Sequence, residues 1–509
     1  MTPIAFGVGV MVFCASVSAQ TAPAAQVTAA APLQVAQAAP AAPAAADNAN
    51  AEPKKADRNV DPEVQKVVVK GLRASLQQSL NQKRSSDTMV EVITAEDIGK
   101  LPDKNVADAV QRLPGVNTSS SSSGEGGFDE NDRVSIRGTS ASLTQTLING
   151  HAVGSGDWFI LSQFGSVGRS VSFTLLPSEL VGSVVVHKSA SADLVEGGVS
   201  GAINIITRKP LEFKKQVTAE ASLGGVYADK PKKTDPQFNA LLNFKNDENT
   251  FGALVQVFSE KRSSRRDGQE LLGYHAISPT SAAAVAHPEL ANVLVPNFIG
   301  SALFEQVRER TGGTVALQFK PSKDLTLGVD AFYSKLVATN SNINALANTG
   351  AIGDQIPTAY TIRNNTLVSA TVPASAGYNA VITDAIYRPG EGAKSHFLNF
   401  DVRYRVNKEF TITGQAGSTK GEGFTPSQPA YESNANNVGL SYSLNGTNSP
   451  ASVTLSRTAF SPANSSTGWA WDNKLFTHDK EKYAQVDGEL VIDKGVLDTI
   501  KFGVRWADH

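Results

Sequence analysis

The chain has 509 residues, of which 41% are hydrophobic and 18% are charged, and its formal net charge is −2. This near-neutral balance argues against a nucleic-acid partner, which would favour a basic chain. The single cysteine, Cys14, lies in a segment that we expect to be removed. Disulfides and thiolate metal sites are therefore not expected in the mature chain.

Residues 1–19 are typical of a signal peptide. Their apolar run is too short to span a bilayer, and Val17 and Ala19 suit the −3 and −1 positions of a cleavage site. No basic residue precedes the run, so we expect a misassigned start codon or a clipped end. Residues 20–63 are rich in alanine, proline and glutamine and predict a flexible periplasmic tether. No later segment offers about 18 uninterrupted apolar residues, which excludes helical membrane spans and leaves a transmembrane β-barrel open.

A β-prone hexamer follows the tether directly. An unpaired extended segment can add as a strand to the edge of a partner's sheet, where backbone hydrogen bonds supply affinity. The alternative is that the hexamer is the first strand of the next domain. Its residues are Val64, Gln65, Lys66, Val67, Val68 and Val69.

The segment 87–116 predicts a strand at 89–93 and then a short helix. Asn105 can cap this helix, whose apolar face includes Val106 and Val110, and Pro114 followed by Gly115 ends it. Two further short strands are predicted in the motifs RVSIRG, at 133–138, and TLING, at 146–150.

Residues 178–210 predict a strand, a glycine-rich turn and a second strand. The strands are the β-branched runs at 181–186 and 202–207. Between them lie Gly197, Gly198 and Gly201, which we expect to be structural because a Cβ there would clash or strain the backbone.

Taken together, the motifs IGKLPD, NVADAVQRLPGV, SIRG, LING, VVVHK and GAINIITRKP resemble the plug domain of TonB-dependent outer-membrane receptors, in the subset typical of Xanthomonas and Caulobacter. Asn149 stands where the family's LIDG motif has aspartate. The resemblance implies a plug domain over 84–213 and identifies the hexamer 64–69 with the TonB box, which contacts TonB. It also implies structural plug roles for Arg137, Gly138, Gly197, Gly198, Gly201 and Arg208.

Beyond residue 213 the hydrophobic period becomes two. Apolar and polar residues alternate at 217–223, 238–244, 325–333, 398–406 and 500–506. Strands of about 10 such residues suit a wall with lipid outside and a polar lumen inside. The predicted fold is mostly β: a small α/β plug inside a transmembrane antiparallel β-barrel, with 214–509 as its N-terminal part. We expect about nine strands here against the family's 22, and therefore a fragment.

The predicted connections alternate between short and long, as periplasmic turns and extracellular loops do in such barrels. A soluble β-sandwich, the alternative, has little reason to place every long loop at one end. Short turns are predicted at 246–249, 321–324, 407–409 and 493–497, and long polar loops at 226–236, 262–312, 337–395 and 420–482.

Catalytic and metal-binding patterns are not evident. An acidic cluster is formed by Glu125, Asp129, Glu130 and Asp132. Arg133 occupies the fifth position counted from Asp129, where an EF-hand loop needs a ligand, so a solvated loop is the better interpretation. His151 and His187 are far apart and lack metal-ligand spacing. We therefore expect no enzyme activity, no cofactor and no metal.

The predicted function is TonB-energised uptake of a scarce nutrient across the bacterial outer membrane, with tether and plug facing the periplasm. The family resemblance favours an oligosaccharide; a ferric siderophore is the alternative, and a passive porin or adhesin fits less well because neither needs a plug. Expected partners are TonB, outer-membrane lipid and the small-molecule ligand. Trp158, Trp469 and Trp471 are the ligand candidates, since an indole face can lie against a sugar ring. Alternatively, they pack a loop or belong to an interfacial aromatic girdle.

Overall fold

A computed structural model describes residues 77–94 apart from 78, 85 and 87, then 105–120, 131–156, 171–457, 461–494 apart from 462, and 497–509. The predicted signal peptide, tether, TonB box and Trp158 lie outside the described residues.

The N-terminal part of the described chain forms an α/β unit. Its elements are β1 (Val90–Thr94), α1 (Val106–Val110), β2 (Val116–Ser120), β3 (Asn131–Ile136), β4 (Thr144–Ile148), β5 (His151–Ala152), β6 (Val181–His187) and β7 (Gly201–Thr207). Five strands form a sheet in the order β1-β6-β7-β4-β5, in which β4 and β7 are parallel. The strands predicted at 181–186 and 202–207 thus pair with each other, antiparallel.

The helix α1 begins at the predicted cap. The Asn105 side chain accepts a hydrogen bond from the amide of Asp108 at 3.1 Å, which satisfies one of the free donors of the first turn. The apolar face of α1, including Val106 and Val110, is fully buried against the unit's core. The cap and the apolar spacing predicted from the sequence are therefore both confirmed.

The remainder of the chain is almost entirely β. Its elements are β8 (Val217–Ala228), β9 (Lys233–Lys245), β10 (Phe251–Leu271), β11 (Tyr274–Ala276), α2 (Ala282–Ala286), β12 (Leu294–Pro296), β13 (Ile299–Ser322), β14 (Leu325–Ala347), β15 (Ala359–Arg363), β16 (Thr366–Val372), β17 (Asn379–Arg405), β18 (Phe410–Thr425), β19 (Ala430–Asn436), β20 (Leu440–Ser443), β21 (Ser452–Leu455), β22 (Ser465–Trp471), β23 (Leu475–Lys494) and β24 (Leu497–Asp508).

Nine of these strands form an antiparallel meander, which we call the wall. Their order is β24-β23-β18-β17-β14-β13-β10-β9-β8, and β19 and β22 extend the sheet from β17. All five alternating segments predicted from the sequence lie in wall strands. The strands are much longer than the predicted 10 residues, however, since β17 alone has 27.

The extra length shortens every predicted loop. Residues 226–236 are not a long loop, because β8 and β9 continue to a turn at 229–232. The loop predicted at 262–312 begins only after Leu271 and ends at Ile299. The added strand segments carry polar residues on both faces, as in RSSRRDGQE at 262–270, so they show no alternation to be detected.

The two faces of the wall differ in polarity. The inner face carries Phe258, Phe332 and Phe397, which join the core of the α/β unit. The outer face exposes a band of large apolar side chains such as Leu398 and Phe400. This band lies in the half of each strand next to the short turns, which we call the short-turn end; the opposite end is the loop end.

At the loop end, the long connections fold together into what we call the loop layer. A six-stranded sheet of β11, β12, β15, β16, β20 and β21 covers a separate hydrophobic core. Ile277, Val295, Leu367 and Tyr442 are among its buried members. This layer was not predicted, because its strands are short and carry no sustained alternation. In the described part of the chain, no helix has the length and apolar character needed to cross a membrane.

Candidate functional site

The α/β unit is seated on the wall through an aromatic cluster. Phe332 and Phe397 are direct partners on β14 and β17, and their rings stack at 5.4 Å between centroids. His151 of β5 meets Phe397 edge-on at 4.7 Å and stacks on Tyr483 of β23 at 5.5 Å. The seat is therefore an apolar contact between the start of β5 and three wall strands.

Burial makes His151 a neutral group in this seat. The side chain is fully buried, and burial lowers the pKa of its imidazole to about 4. The folded pKa lies below the unfolded value of about 6.5, so the unfolded chain binds the proton first as the pH falls. The contribution of His151 to the free energy of unfolding is therefore complete above pH 6.5 and is lost as the pH falls toward 4. His151 thus acts at neutral pH as a packing residue.

Immediately after β5, the backbone of residues 154–156 lies directly on β18. The Gly154 amide donates to the Thr419 hydroxyl at 2.6 Å, its carbonyl accepts from the Ser395 hydroxyl at 2.8 Å, and the Ser155 amide donates to the Asp479 carboxylate at 2.8 Å. This approach is possible only without side chains. A Cβ on Gly156 would lie 1.9 Å from the Glu422 carbonyl carbon.

The same restriction holds for two more glycines at this place. A Cβ on Gly154 would lie 2.6 Å from the Gly421 amide nitrogen, and one on Gly421 would lie 2.4 Å from the Ser155 backbone. Both distances are too short for any real side chain. We call Gly154, Gly156 and Gly421 the glycine contact.

The turn at position 149 accommodates asparagine in place of the aspartate of the LIDG motif. Asn149 has φ 51°, in the left-handed region that asparagine tolerates. The side-chain oxygen of Asn149 accepts a hydrogen bond from the backbone amide of Thr207 at 3.0 Å. The side-chain nitrogen of Asn149 donates to the Thr207 hydroxyl, also at 3.0 Å. An aspartate could accept from the same amide and hydroxyl, so asparagine at this position keeps the link between the turn and the end of β7.

Three of the other predicted structural residues hold turns or connections. Arg137 and Gly138 have φ 59° and 68°, and the side chain of Arg137 is exposed, so both positions serve the turn after β3. Arg208 donates to Glu220 of β8 at 2.8 Å and so links the end of the α/β unit to the first wall strand.

The glycine-rich turn before β7 is sterically closed. Gly197 and Gly201 have φ 118° and 138°. A Cβ on Gly201 would lie 2.4 Å from the His187 carbonyl oxygen, and one on Gly198 would lie 2.6 Å from the Gly201 oxygen. The geometry supports a structural role for all three glycines, with no open space for a ligand at Gly198 or Gly201.

Replacing Gly201 with alanine should lower the free energy of unfolding by about 2–4 kcal/mol, because it combines a disallowed φ with a backbone clash. The yield of purified protein and its thermal melting measure the effect. Val199→Ala, at a position that is 83% exposed, is the control and should melt like the parent. A Gly201→Ala protein with normal yield but selectively lost ligand affinity would contradict the structural role.

Trp469 and Trp471 lie on a strand rather than in a loop. Both belong to β22, and their rings stack at 6.0 Å with an interplanar angle of 18°. The Trp469 indole N–H donates to Glu432 of β19 at 2.7 Å. We call these two half-buried tryptophans the aromatic pair.

Strand register places the aromatic pair on the inner face. Trp471 is opposite Ala430, Ala430 is opposite Ile386, and Ile386 is opposite Asn342, whose side chain is buried on the same face as Phe332. Two residues along these strands, Asn344 is opposite Asp384, and Asp384 is opposite Glu432. Two carboxylates, an amide and two indoles therefore share one part of the inner face. Asp384 and Glu432 were not predicted, since they lie far from the tryptophans in sequence.

A cavity of about 980 Å³ lies nearer the short-turn end, between residues 191–196 of the α/β unit and the inner face of β18, β23 and β24. Its lining combines polar and apolar surface and includes the charged side chains of Asp193, Glu196, Asp487 and Arg505. Among the residues that the structure describes, no group of three histidine, cysteine, aspartate or glutamate side chains is placed to hold a metal ion.

The α/β unit matches a known family model. Residues 82–203 match the model described as TonB-dependent Receptor Plug Domain. The chain therefore combines a plug domain with a mostly β remainder, and the matches support the TonB-dependent receptor family. From here on we call the α/β unit the plug.

Individual relatives that match this chain are also described as receptors or transporters. The chain is 34% identical over 126 residues to the ferric enterobactin receptor PirA of Pseudomonas aeruginosa. This aligned segment covers 24% of this chain and 17% of that protein. It is 29% identical over 140 residues to the vitamin B12 transporter BtuB of Photobacterium profundum, covering 27% and 21%. The aligned segments thus span about a fifth or less of these curated relatives.

Among solved structures, a mutant of the ferric enterobactin receptor PfeA of Pseudomonas aeruginosa aligns with 84% of this chain and 58% of its own. The sequence identity is 15% and the TM-score is 0.36. The ferric citrate transporter FecA aligns with 81% of this chain and 64% of its own, at 11% identity and a TM-score of 0.31.

Proposed function

We propose that this chain belongs to an outer-membrane receptor that takes up a scarce small-molecule nutrient with energy supplied through TonB. The observation that carries the proposal is the plug domain at 82–203, seated on the inner face of a long-stranded antiparallel sheet. A passive porin or an adhesin has no need of a plug held by the glycine contact. Catalysis is not part of the proposal.

The outer face of the wall supports a membrane location. The exposed apolar band on β17 runs from Leu398 to Val406. Eight residue steps of about 3.3 Å, on strands tilted by about 40°, give a height of about 20 Å, close to the apolar band of outer-membrane barrels. With this placement, the short turns face the periplasm and the loop layer faces outward.

For the ligand, we propose an oligosaccharide bound at the aromatic pair. Stacked indoles offer apolar faces to sugar rings, while Glu432, Asp384 and Asn344 offer acceptors and a donor to hydroxyl groups. A ferric catecholate is an anion, and two carboxylates beside the tryptophans would repel it.

A ferric siderophore is the second candidate. It is favoured by two arginines on the inner face, Arg308 and Arg388, at 5% and 1% exposure. An anionic chelate would interact with these guanidinium groups once the plug and wall rearrange to expose them. The relatives named above as enterobactin receptors point the same way.

The test is a binding screen of the intact receptor against oligosaccharides and ferric siderophores, with each tryptophan of the aromatic pair changed to alanine. We expect each change to weaken sugar binding by about tenfold, because a stacked indole face is lost. Trp506→Ala is the matched control, since Trp506 is exposed on the outer face. Binding of a ferric chelate and no sugar would overturn the substrate. Unchanged sugar affinity in both variants would overturn the site.

A further inference from the structure

The aromatic pair is accompanied by two carboxylates with no basic partner. Glu432 on β19 is directly opposite Asp384 on β17, and both side chains are half-buried on the inner face toward the loop end. Among the residues that the structure describes, no lysine or arginine forms an ion pair with either of them. Like charges in directly opposed positions destabilise a sheet. The wall therefore carries two opposed negative charges beside the tryptophans.

Hydrogen bonds hold both carboxylates in place and leave part of their acceptor capacity unused. The Asn344 side chain donates to Asp384 Oδ1 at 2.7 Å, and the Trp469 indole donates to Glu432 Oε2 at 2.7 Å. Each ionised carboxylate has about four acceptor sites, so the second oxygen of each is left for a ligand. Burial, and to a smaller extent the charge of Glu432, raises the pKa of the Asp384 carboxyl. A cation bound between the two carboxylates would relieve both effects.

A β-bulge brings the indole to the carboxylates. The pairing of β19 with β22 shifts by one residue here, so that Gly468 and Trp469 together oppose Glu432. Bulges re-aim side chains and are common beside functional sites. The glycine is required, because a Cβ on Gly468 would lie 2.1 Å from Glu432 Oε1. The bulge and the glycine together admit the Glu432 carboxylate beside the aromatic pair.

Carboxylates beside aromatic faces suit an organic ammonium group. An indole face attracts a cation through its quadrupole, and carboxylate oxygens accept hydrogen bonds from the N–H groups of the cation. A neutral sugar would gain the indole contact but would leave the two negative charges opposed. The charge and the aromatic surface of this part of the inner face therefore favour a ligand that is both cationic and ring-shaped.

We propose that the ligand of the aromatic pair is an oligosaccharide that carries a protonated amine. Its ammonium group lies between Asp384 and Glu432, and its sugar ring lies on the indoles. The inference rests on the proposed function, since it specifies the class of sugar that binds at the same site. An anionic chelate would meet repulsion at this position.

The test compares a β-1,4-linked glucosamine tetramer with its fully N-acetylated form. The two probes share one backbone and differ in charge. Binding of each to the intact purified receptor is measured by isothermal titration calorimetry, at a pH that keeps the free amines protonated. We expect the receptor to bind the cationic tetramer about tenfold more tightly than the acetylated one, because charge-assisted hydrogen bonds to two carboxylates are gained.

Variants separate the charge from the ring contact. Glu432→Gln and Asp384→Asn keep the side-chain shape, and each should weaken binding of the cationic tetramer about tenfold. Each should leave binding of the acetylated tetramer unchanged, which also shows that the variant is folded. Trp469→Ala should weaken binding of both tetramers, because an indole face is lost. Glu309→Gln removes a negative charge from the outer face and is the matched control, which should bind both like the parent.

Equal affinity of the parent for the two tetramers would overturn the proposal and leave oligosaccharide uptake standing. An unchanged affinity ratio in both charge variants would do the same. Binding that is lost when calcium is chelated would also overturn it, since the carboxylates would then hold a divalent cation. Binding of a ferric chelate and of neither tetramer would overturn the proposed substrate itself, and this inference with it.

Discussion

Replacing Gly156 with valine should unseat the plug from the wall. A Cβ at this position lies 1.9 Å from the Glu422 carbonyl carbon and 2.3 Å from the Gly423 nitrogen, so the atoms in the way belong to the backbone. A backbone segment held in a β-ladder cannot move aside as a flexible side chain can. We expect a loss of about 3 kcal/mol or more in the stability of the seated plug.

The measurement is the rate at which trypsin cleaves the plug in the intact receptor, together with thermal melting. Gly224→Val is the matched control: Gly224 lies in β8, and a Cβ there meets nothing within 4 Å. That variant should be cleaved and should melt like the parent. If the plug of the Gly156→Val receptor resists trypsin as well as that of the control, the prediction is wrong. The backbone of β18 then moves to make room for the valine.

The seat joins the plug to the wall through apolar packing and hydrogen bonds together. Leu175 of the plug packs against Phe304 and Leu336 of the wall. Three inner-face phenylalanines and His151 add to the apolar part. The glycine contact adds hydrogen bonds from residues 154 and 155 to three wall side chains. Such bonds each contribute about 1 kcal/mol.

How much of this could be read from the sequence depends on local pattern. The plug strands were predictable because β-branched runs such as 181–186 are flanked by turn-forming residues, here Pro177 and Ser178 before the run and Ser189 after it. The wall strands were predictable where lipid-facing and inner residues alternate, as at 398–406. Beyond the apolar band both faces are polar, so the outer halves of β10 and β17 carried no periodic signal.

The site was only partly predictable for the same reason. The aromatic pair was identified from its composition, but its partners Asp384 and Glu432 lie on other strands, and only the register of β17, β19 and β22 brings them together. The loop layer was missed because its strands are short, with β11 and β12 of three residues each. The glycine contact had a visible signal in GSG at 154–156, but nothing local indicates that β18 lies against it.

Replacing Val67 with proline should abolish ligand uptake and leave ligand binding at the cell surface unchanged. The hexamer 64–69 is β-prone and follows a segment rich in alanine and proline, so it is placed to add as a strand to TonB. Proline removes an amide donor from that added strand and fixes φ near −65°. Uptake of labelled ligand in whole cells, beside a strain that lacks TonB, measures the effect.

Two controls separate loss of the strand from loss of the receptor. Val67→Thr keeps the amide and the β-branched shape, and should retain most of the uptake. Ala45→Pro adds a proline inside the proline-rich segment 20–63 and should be silent, since the composition predicts a flexible tether there, in which another proline is tolerated. Surface binding, measured at low temperature, shows that each variant reaches the outer membrane. Uptake by Val67→Pro at the level of Ala45→Pro would mean that the hexamer is merely the first strand of the plug, and that TonB acts on another part of the chain.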